Sequence, residues 1–240
     1  MEAAALWQQS ISENLAASTV PGHKKQQVSF ESLHSGALGA LSHQPEASPK
    51  NFVQPGGKVN TDFSQGLMKP TGVKTDLAVQ GKAFFEVQLP DGSSAYTRDG
   101  EFHLSDQGQL VTKDGFPVAA DGGSLQFDAR NSGAVSVAVT GEVSQGGDKK
   151  GKIKLTDFND PSLLSPMGAG YFKASDPKLR ADPATTSTLR QGFLETSNTS
   201  VVEEMTHLIS AMRSFEANQK VVQMNDERMS KAISELAPPS

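Results

Sequence analysis

Cysteine is absent from the 240 residues. Thiol nucleophiles, disulfides and cysteine metal sites are therefore excluded. Aromatic residues are scarce at 6%, and hydrophobic residues reach only 36%, so one thick core is not expected. No apolar run of about eighteen residues occurs, so no helix is expected to span a membrane. Positive charge is not in excess. Lys and Arg number 22 against 27 Asp and Glu, a net charge of -5, which argues against a nucleic-acid partner. The opening stretch MEAAALWQQSISENLAAS has neither a basic start nor an apolar run, so it does not read as a cleavable signal peptide. Lack of cysteine also suits an oxidising compartment.

What is present is concentrated at the C-terminal end. Val201, Leu208, Phe215, Val222, Met229 and Leu236 recur every seven residues. Met205, Met212 and Ile233 follow three of them at four residues, while Gln219 and Asp226 interrupt that second row. This is a heptad seam. It predicts a helix from about Ser200 to Leu236, roughly 55 Å long. Ser200 and Glu203 read as a capping box at its start, and Pro238 and Pro239 mark its end. A stripe of that length needs another helix to cover it. At the other end, Trp7, Ile11 and Leu15, with Ala4, share one face of a predicted helix over Glu2 to Ala17, closed by Val20-Pro21-Gly22. That helix is short for independent stability. The two terminal helices are expected to pair and cap the middle of the chain.

Between them the reading is β. Asp91-Gly92, Asp99-Gly100, Asp114-Gly115 and Asp121-Gly122 are turn signals at short intervals. They separate strand-forming runs such as Ala83 to Leu89, Ser94 to Arg98 and Phe116 to Ala119. Phe85, Val87 and Leu89 share a face by period two, as do Val135, Val137 and Val139. A small antiparallel sandwich or open barrel follows. From Gly36 to Gly72 the chain is rich in Gly, Pro, Ser, Gln and Lys, and reads as an extended arm with room for one irregular hairpin. The expected fold class is α+β, with N- and C-terminal helices forming a coiled-coil stalk and a central antiparallel β domain inserted between them. The expected divisions are an N-terminal helix and motif over 1–30, the arm over 31–74, the β domain with its return segment over 75–184, and the C-terminal helix over 185–240.

Candidate chemistry is thin. Gly146 to Lys152 fits the phosphate-loop spacing G-x-x-x-x-G-K, but Ile153 stands where a hydroxyl should reach magnesium. A strand-like stretch follows rather than a helix N-terminus, so a solvated β-turn is the expected structure. His23, His34, His43, His103 and His207 show no i, i+4 pair and no HExxH. The Asp-Gly carboxylates form no EF-hand loop, and turn formation accounts for them. Glu203, Glu204 and Glu216 read as surface charges on the helix. No cofactor, metal site or catalytic residue is expected. The competing reading is a cell-wall or carbohydrate-acting protein with a helical oligomerisation stalk, since two carboxylates facing a cleft suffice for glycoside hydrolysis.

Three stretches carry a resemblance. They are Gly192-Phe-Leu-Glu195-Thr-Ser197-Asn198-Thr-Ser-Val201-Val-Glu203-Glu204-Met205 continuing to Arg213-Ser-Phe215-Glu216-Ala-Asn218-Gln-Lys220; Asp76 to Phe85 with Leu89-Pro-Asp-Gly92, Tyr96-Thr-Arg98-Asp-Gly100-Glu-Phe102 and Gly108 to Gly115; and Asn14-Leu15-Ala16 followed by Pro21-Gly22-His23-Lys24. Together they resemble the bacterial flagellar basal-body rod proteins, the distal rod protein and its proximal paralogue above all. Ala17 and His23 depart from the family's usual Asn and aromatic residue.

The resemblance implies a non-enzymatic structural subunit of the bacterial flagellum. Such subunits leave the cell through the flagellar type III export apparatus without a cleaved signal and stack into a hollow helical rod across the periplasm. Their terminal helices pack as an inner coiled-coil tube, and the rod transmits torque from motor to hook. The implied partners are copies of the chain, other rod subunits, and the hook and surrounding ring proteins, with no nucleic acid and no membrane insertion. The expected assembly interface is Trp7, Ile11, Leu15, Val201, Met205, Leu208, Met212, Phe215, Val222, Met229, Ile233 and Leu236.

Overall fold

The computed structural model describes residues 2–34, 53–128 and 133–236, with side chains over 5–29, 58–128 and 133–231. The chain divides into two compact units. Much of the arm, from 35 to 52, lies outside the described residues.

The first unit gathers Met1–Ala16, Gln26–Asn60 and Ser200–Ser240. It holds helix α1 (Glu2–Ala16), a strand pair (Gln26–His34 with Val53–Thr61) and helix α2 (Val201–Leu236). The strand Gln26–His34 is not anticipated by the sequence pattern, and Val53–Thr61, in the arm where one irregular hairpin is expected, pairs with it. The pair is reinforced by polar contacts: Asn60 Nδ2 donates to Ser29 Oγ at 2.9 Å, and Ser29 Oγ donates to Lys58 O. Asn14, near the end of α1, meets Glu204, near the start of α2. The short helix therefore runs antiparallel to the long one and reaches about as far as Phe215.

The expected coiled-coil stalk is not what forms. α1 has 15 residues and α2 has 36, so one spans roughly 22 Å and the other roughly 54 Å. Pro21 and Gly22 stop the first helix and the chain turns into a strand, leaving too little helix to pair along α2. The described residues outside these two helices are overwhelmingly β and turn, so the fold is a mostly-β chain with a short N-terminal and a long C-terminal helix. The helix α2 starts where the sequence places it, with Glu204 N–H donating to the Ser200 carbonyl at 3.0 Å.

The second unit comprises Ala17–Lys25 and Thr61–Thr199. Its centre is a six-stranded antiparallel sheet in the order Ser165–Gly168, Tyr171–Lys173, Ser94–Thr97, Phe84–Gln88, Leu155–Phe158, Ala181–Pro183. The strand Phe84–Gln88 lies inside it and is buried on both faces. Phe85 and Val87 enter the larger core with Leu77, Val79, Val118 and Ile153. Phe84, on the opposite face, packs edge-to-face on Phe158 and Phe63 in a second core with Tyr96, Leu164 and Phe172. Alternation puts both sets in apolar surroundings, which is how a chain of low hydrophobic content builds two thin cores rather than a thick one. Glu86 shares the Phe84 face and is held by Ser94, Thr156 and Lys154.

The phosphate-loop look-alike is a hairpin turn. Gly146 and Gly147 sit at φ 60° and 99° between paired Gln145 and Asp148, the positive dihedrals that a tight two-residue turn demands. Past the sheet the chain returns along two short pairings, Thr188–Gln191 on Leu77–Gln80 and Phe193–Glu195 on Met68–Pro70. This return delivers Glu195 to the interior of the unit, just ahead of α2.

Candidate assembly site

On α1, Ile11 is 2% exposed, and Trp7 and Leu15 are half-buried. On α2 the face turned to α1 is Glu204, Leu208, Ala211 and Phe215; Glu204 and Ala211 are buried and the other two half-buried. Glu204 is thus not the surface charge its sequence context suggests. Its Oε2 accepts from Asn14 Nδ2 at 3.2 Å, and its Oε1 lies 3.7 Å from His207 Nδ1. Asn14 is 1% exposed and uses the rest of its amide like a strand neighbour. It donates to Gln26 O and accepts from Gln26 N, both at 2.8 Å. Buried amides this well matched fix register.

At 100° per residue, Val222 and Met229 continue the row of Leu208 and Phe215 beyond the end of α1. Every described residue of α2 from Glu216 to Lys231 is exposed. Val222 is 46% and Met229 68% exposed. A second apolar row, Val202, Met205, Ile209 and Met212, runs along the flank at steps of three and four and is also exposed, with Val201 beside it. Met205 and Met212 therefore do not share the α1 face with Leu208 and Phe215, as the heptad reading supposes. Ile233 and Leu236 belong to α2, but their side chains lie outside those described.

In the second unit, three charged side chains converge that sequence reasoning did not single out as a site. Lys24 Nζ donates to Glu195 Oε1 at 2.6 Å and to Ser64 O at 2.7 Å. Arg98 Nη1 lies 3.2 Å from Glu195 Oε2, and Nη2 donates to Gly81 O at 2.8 Å. Arg98 also stacks over the Phe84 ring, 4.8 Å from its centroid. Gly66 N–H is a further donor to Glu195 Oε1, at 2.9 Å. The Lys24 and Glu195 side chains are 0% exposed and that of Arg98 2%. Two cations thus share one carboxylate out of water. Burial lowers the pKa of Lys24 and of Arg98, and attraction to Glu195 opposes the drop in both.

Local sequence builds this junction. Gly22 holds φ 67°, and a Cβ there would lie 2.3 Å from the Arg98 carbonyl carbon. A Cβ on Gly66 would lie 1.9 Å from Thr196 O. Only glycine lets these backbones close on Glu195. Gly22 N–H donates to Glu195 O at 2.7 Å. Asn198 completes the arrangement. Its Oδ1 accepts from Lys25 N at 2.7 Å and its Nδ2 reaches Asp62 O at 2.9 Å and Ser64 Oγ at 3.0 Å. The signal for all of this lay in the short motifs Pro21-Gly22-His23-Lys24 and Glu195-Thr-Ser-Asn198. Polar residues around glycines read as turns in one dimension and as a buried network only in three.

The β unit and the segment that carries Glu195 and Asn198 also match known families. The family described as "Flagellar hook protein FlgE/F/G D1 domain" matches residues 78–145, and that described as "Flagellar basal body rod FlgEFG protein C-terminal" matches residues 190–235. Flagellar basal-body rod protein FlgG of Buchnera aphidicola subsp. Acyrthosiphon pisum (strain APS) is 33% identical over 237 residues, covering 92% of this chain and 90% of that protein. Flagellar basal-body rod protein FlgF of Caulobacter vibrioides is 34% identical over 227 residues, covering 94% and 90%. FlgG of Bacillus subtilis is 30% identical, covering 93% and 90%. With family models matching the β unit and the C-terminal helix, and with relatives of 30% identity or more aligned over nine-tenths of the chain, the chain belongs to the flagellar basal-body rod protein family, a structural subunit of the rod in the basal body.

Proposed function

We propose that this subunit polymerises with copies of itself and with other rod subunits into a hollow helical rod that carries torque from motor to hook. On this reading it crosses the periplasm after passage through the flagellar type III export apparatus, and meets the hook and the surrounding ring proteins. The observation that supports polymerisation is the row Leu208, Phe215, Val222, Met229, which outruns α1 and leaves its distal half exposed. Helices of neighbouring copies supply the missing cover. A head-to-tail contact that does not close builds a filament, and burying apolar surface drives it. Val222, Met229 and the flank of Val201, Met205 and Met212 make the contact between copies. Trp7, Ile11, Leu15, Leu208 and Phe215 hold α1 on α2 so that this face is presented. The carbohydrate-acting alternative draws no support from the relatives named above, which bear rod-protein names.

The test is the double variant Val222→Asp, Met229→Asp in cells lacking the native gene. Motility should be lost, and the purified variant should stay unpolymerised while its β unit keeps native hydrogen-exchange protection. Swimming cells carrying this variant would overturn the proposal.

A further inference from the structure

The chain passes between its two units at four points: 16/17, 25/26, 60/61 and 199/200. On the side of the second unit, three of these crossings are tied to one another within a few residues. Asp62 N–H donates to Lys25 O at 2.8 Å. Asn198 Oδ1 accepts from Lys25 N, and Asn198 Nδ2 donates to Asp62 O. One side chain therefore holds the 25/26 and 60/61 crossings from a position beside 199/200. Three residues back, Glu195 repeats the pattern with different chemistry. Its carboxylate takes Lys24 and the Gly66 N–H, and its carbonyl takes the Gly22 N–H.

We propose that Asn198 and Glu195 form a clamp that makes the ordering of three sequence-distant segments, Gly22–Lys25, Asp62–Gly66 and Glu195–Asn198, a single cooperative event. The physical reason is that each segment satisfies polar groups of the other two, fully buried at Lys24 and Glu195 and half-buried at Lys25, Asp62 and Asn198. Removing any one leaves a donor, acceptor or charge unpaired on the remaining pair. Ordering entropy is large for short irregular segments, so partial clamps do not compensate for it. The segments leading to α1 and α2 are thus anchored together or released together.

The amide that serves as clamp also supplies the test. Asn198→Asp keeps the Oδ acceptor for Lys25 N–H and loses the donor to Asp62 O and Ser64. Hydrogen exchange is followed by mass spectrometry on the full-length purified chain. Cooperative ordering predicts that exchange speeds up roughly tenfold or more in both 62–66 and 22–25, although the bond to Lys25 is retained. The strand Phe84–Gln88 should be unchanged, as an internal control. Faster exchange confined to 62–66 would mean the segments order independently and would overturn the proposal. Asn198→Ala, which removes both halves of the amide, should deprotect 22–25, 62–66 and 195–199 to the same extent. Unequal loss among the three would also overturn it. If Phe84–Gln88 loses protection along with the segments in both variants, the clamp is no separate cooperative unit and the proposal fails.

Discussion

Asn14 and Glu204 stand 190 residues apart in the chain and meet in the buried contact between α1 and α2, amide Nδ2 to carboxylate Oε2 at 3.2 Å. Asn14→Asp replaces the donor by a second carboxylate and strips Gln26 O of its partner. The expected loss is about 2–4 kcal/mol of local stability. Hydrogen exchange across α1 and the first turns of α2 measures it, and an unchanged rate there would mean the contact does not hold the helices.

The junction makes an unequal prediction for its two ends. Lys24→Met leaves Glu195 with Arg98 and the Gly66 N–H, whereas Glu195→Gln strands two buried cations. Denaturant unfolding should show Glu195→Gln costing about 3–5 kcal/mol and Lys24→Met distinctly less. The reverse order would show that the two cations do not depend on the one carboxylate.

Lys24 also predicts a pH dependence. Burial lowers its pKa below the ordinary 10.5, against the pull of Glu195. In the interval between the lowered value and 10.5 the unfolded chain binds more protons than the folded one. Stability contributed at this site therefore rises with pH through that interval. The difference in unfolding free energy, wild type minus Lys24→Met, should increase as pH is raised from neutral toward 10.5. A difference that falls would mean that attraction to Glu195 outweighs desolvation.

Two glycines separate close approach from dihedral cost. Gly22 and Gly92 both hold positive φ, 67° and 81°, but a Cβ on Gly92 meets nothing within 4 Å. Gly92→Ala should cost about 1 kcal/mol, the price of the left-handed dihedral alone. Gly22→Ala adds collision with the Arg98 backbone and should cost about 3 kcal/mol or more. Equal melting shifts for the two variants would contradict the collision.

Ile209 and Ala211 lie two residues apart on different faces of α2. Ile209 is 54% exposed and Ala211 1%. Ile209→Asp should leave the melting transition of the isolated chain unmoved and weaken polymerisation. Ala211→Asp should instead loosen α1 and expose it to protease. Sedimentation and limited proteolysis of both variants check the assignment of one face to the chain itself and the other to neighbouring copies.

Periodicity alone determined that α2 exists, since a seven-residue apolar repeat over five heptads, about ten turns, is a helical pattern. Local signals, Asp-Gly turns and strand-forming runs between them, likewise located the strands around Phe84–Gln88 and Ser94–Thr97. The family likeness was legible in short motifs, and with it the role of the chain. Tertiary structure decided the rest. Whether α1 is long enough to pair along α2 depends on where Pro21-Gly22 turns the chain, and the stalk expected from the two amphipathic ends does not form. Which apolar row of α2 faces α1 depends on Asn14 and Glu204, both polar and invisible to a hydrophobic pattern. The strand at Gln26–His34 is stabilised by its partner rather than by its own period. Above all, Lys24, Arg98, Glu195 and Asn198 acquire meaning only together. Their energy comes from burial and mutual pairing, and those are properties of a place in the fold that residues scattered from 24 to 198 do not reveal one by one.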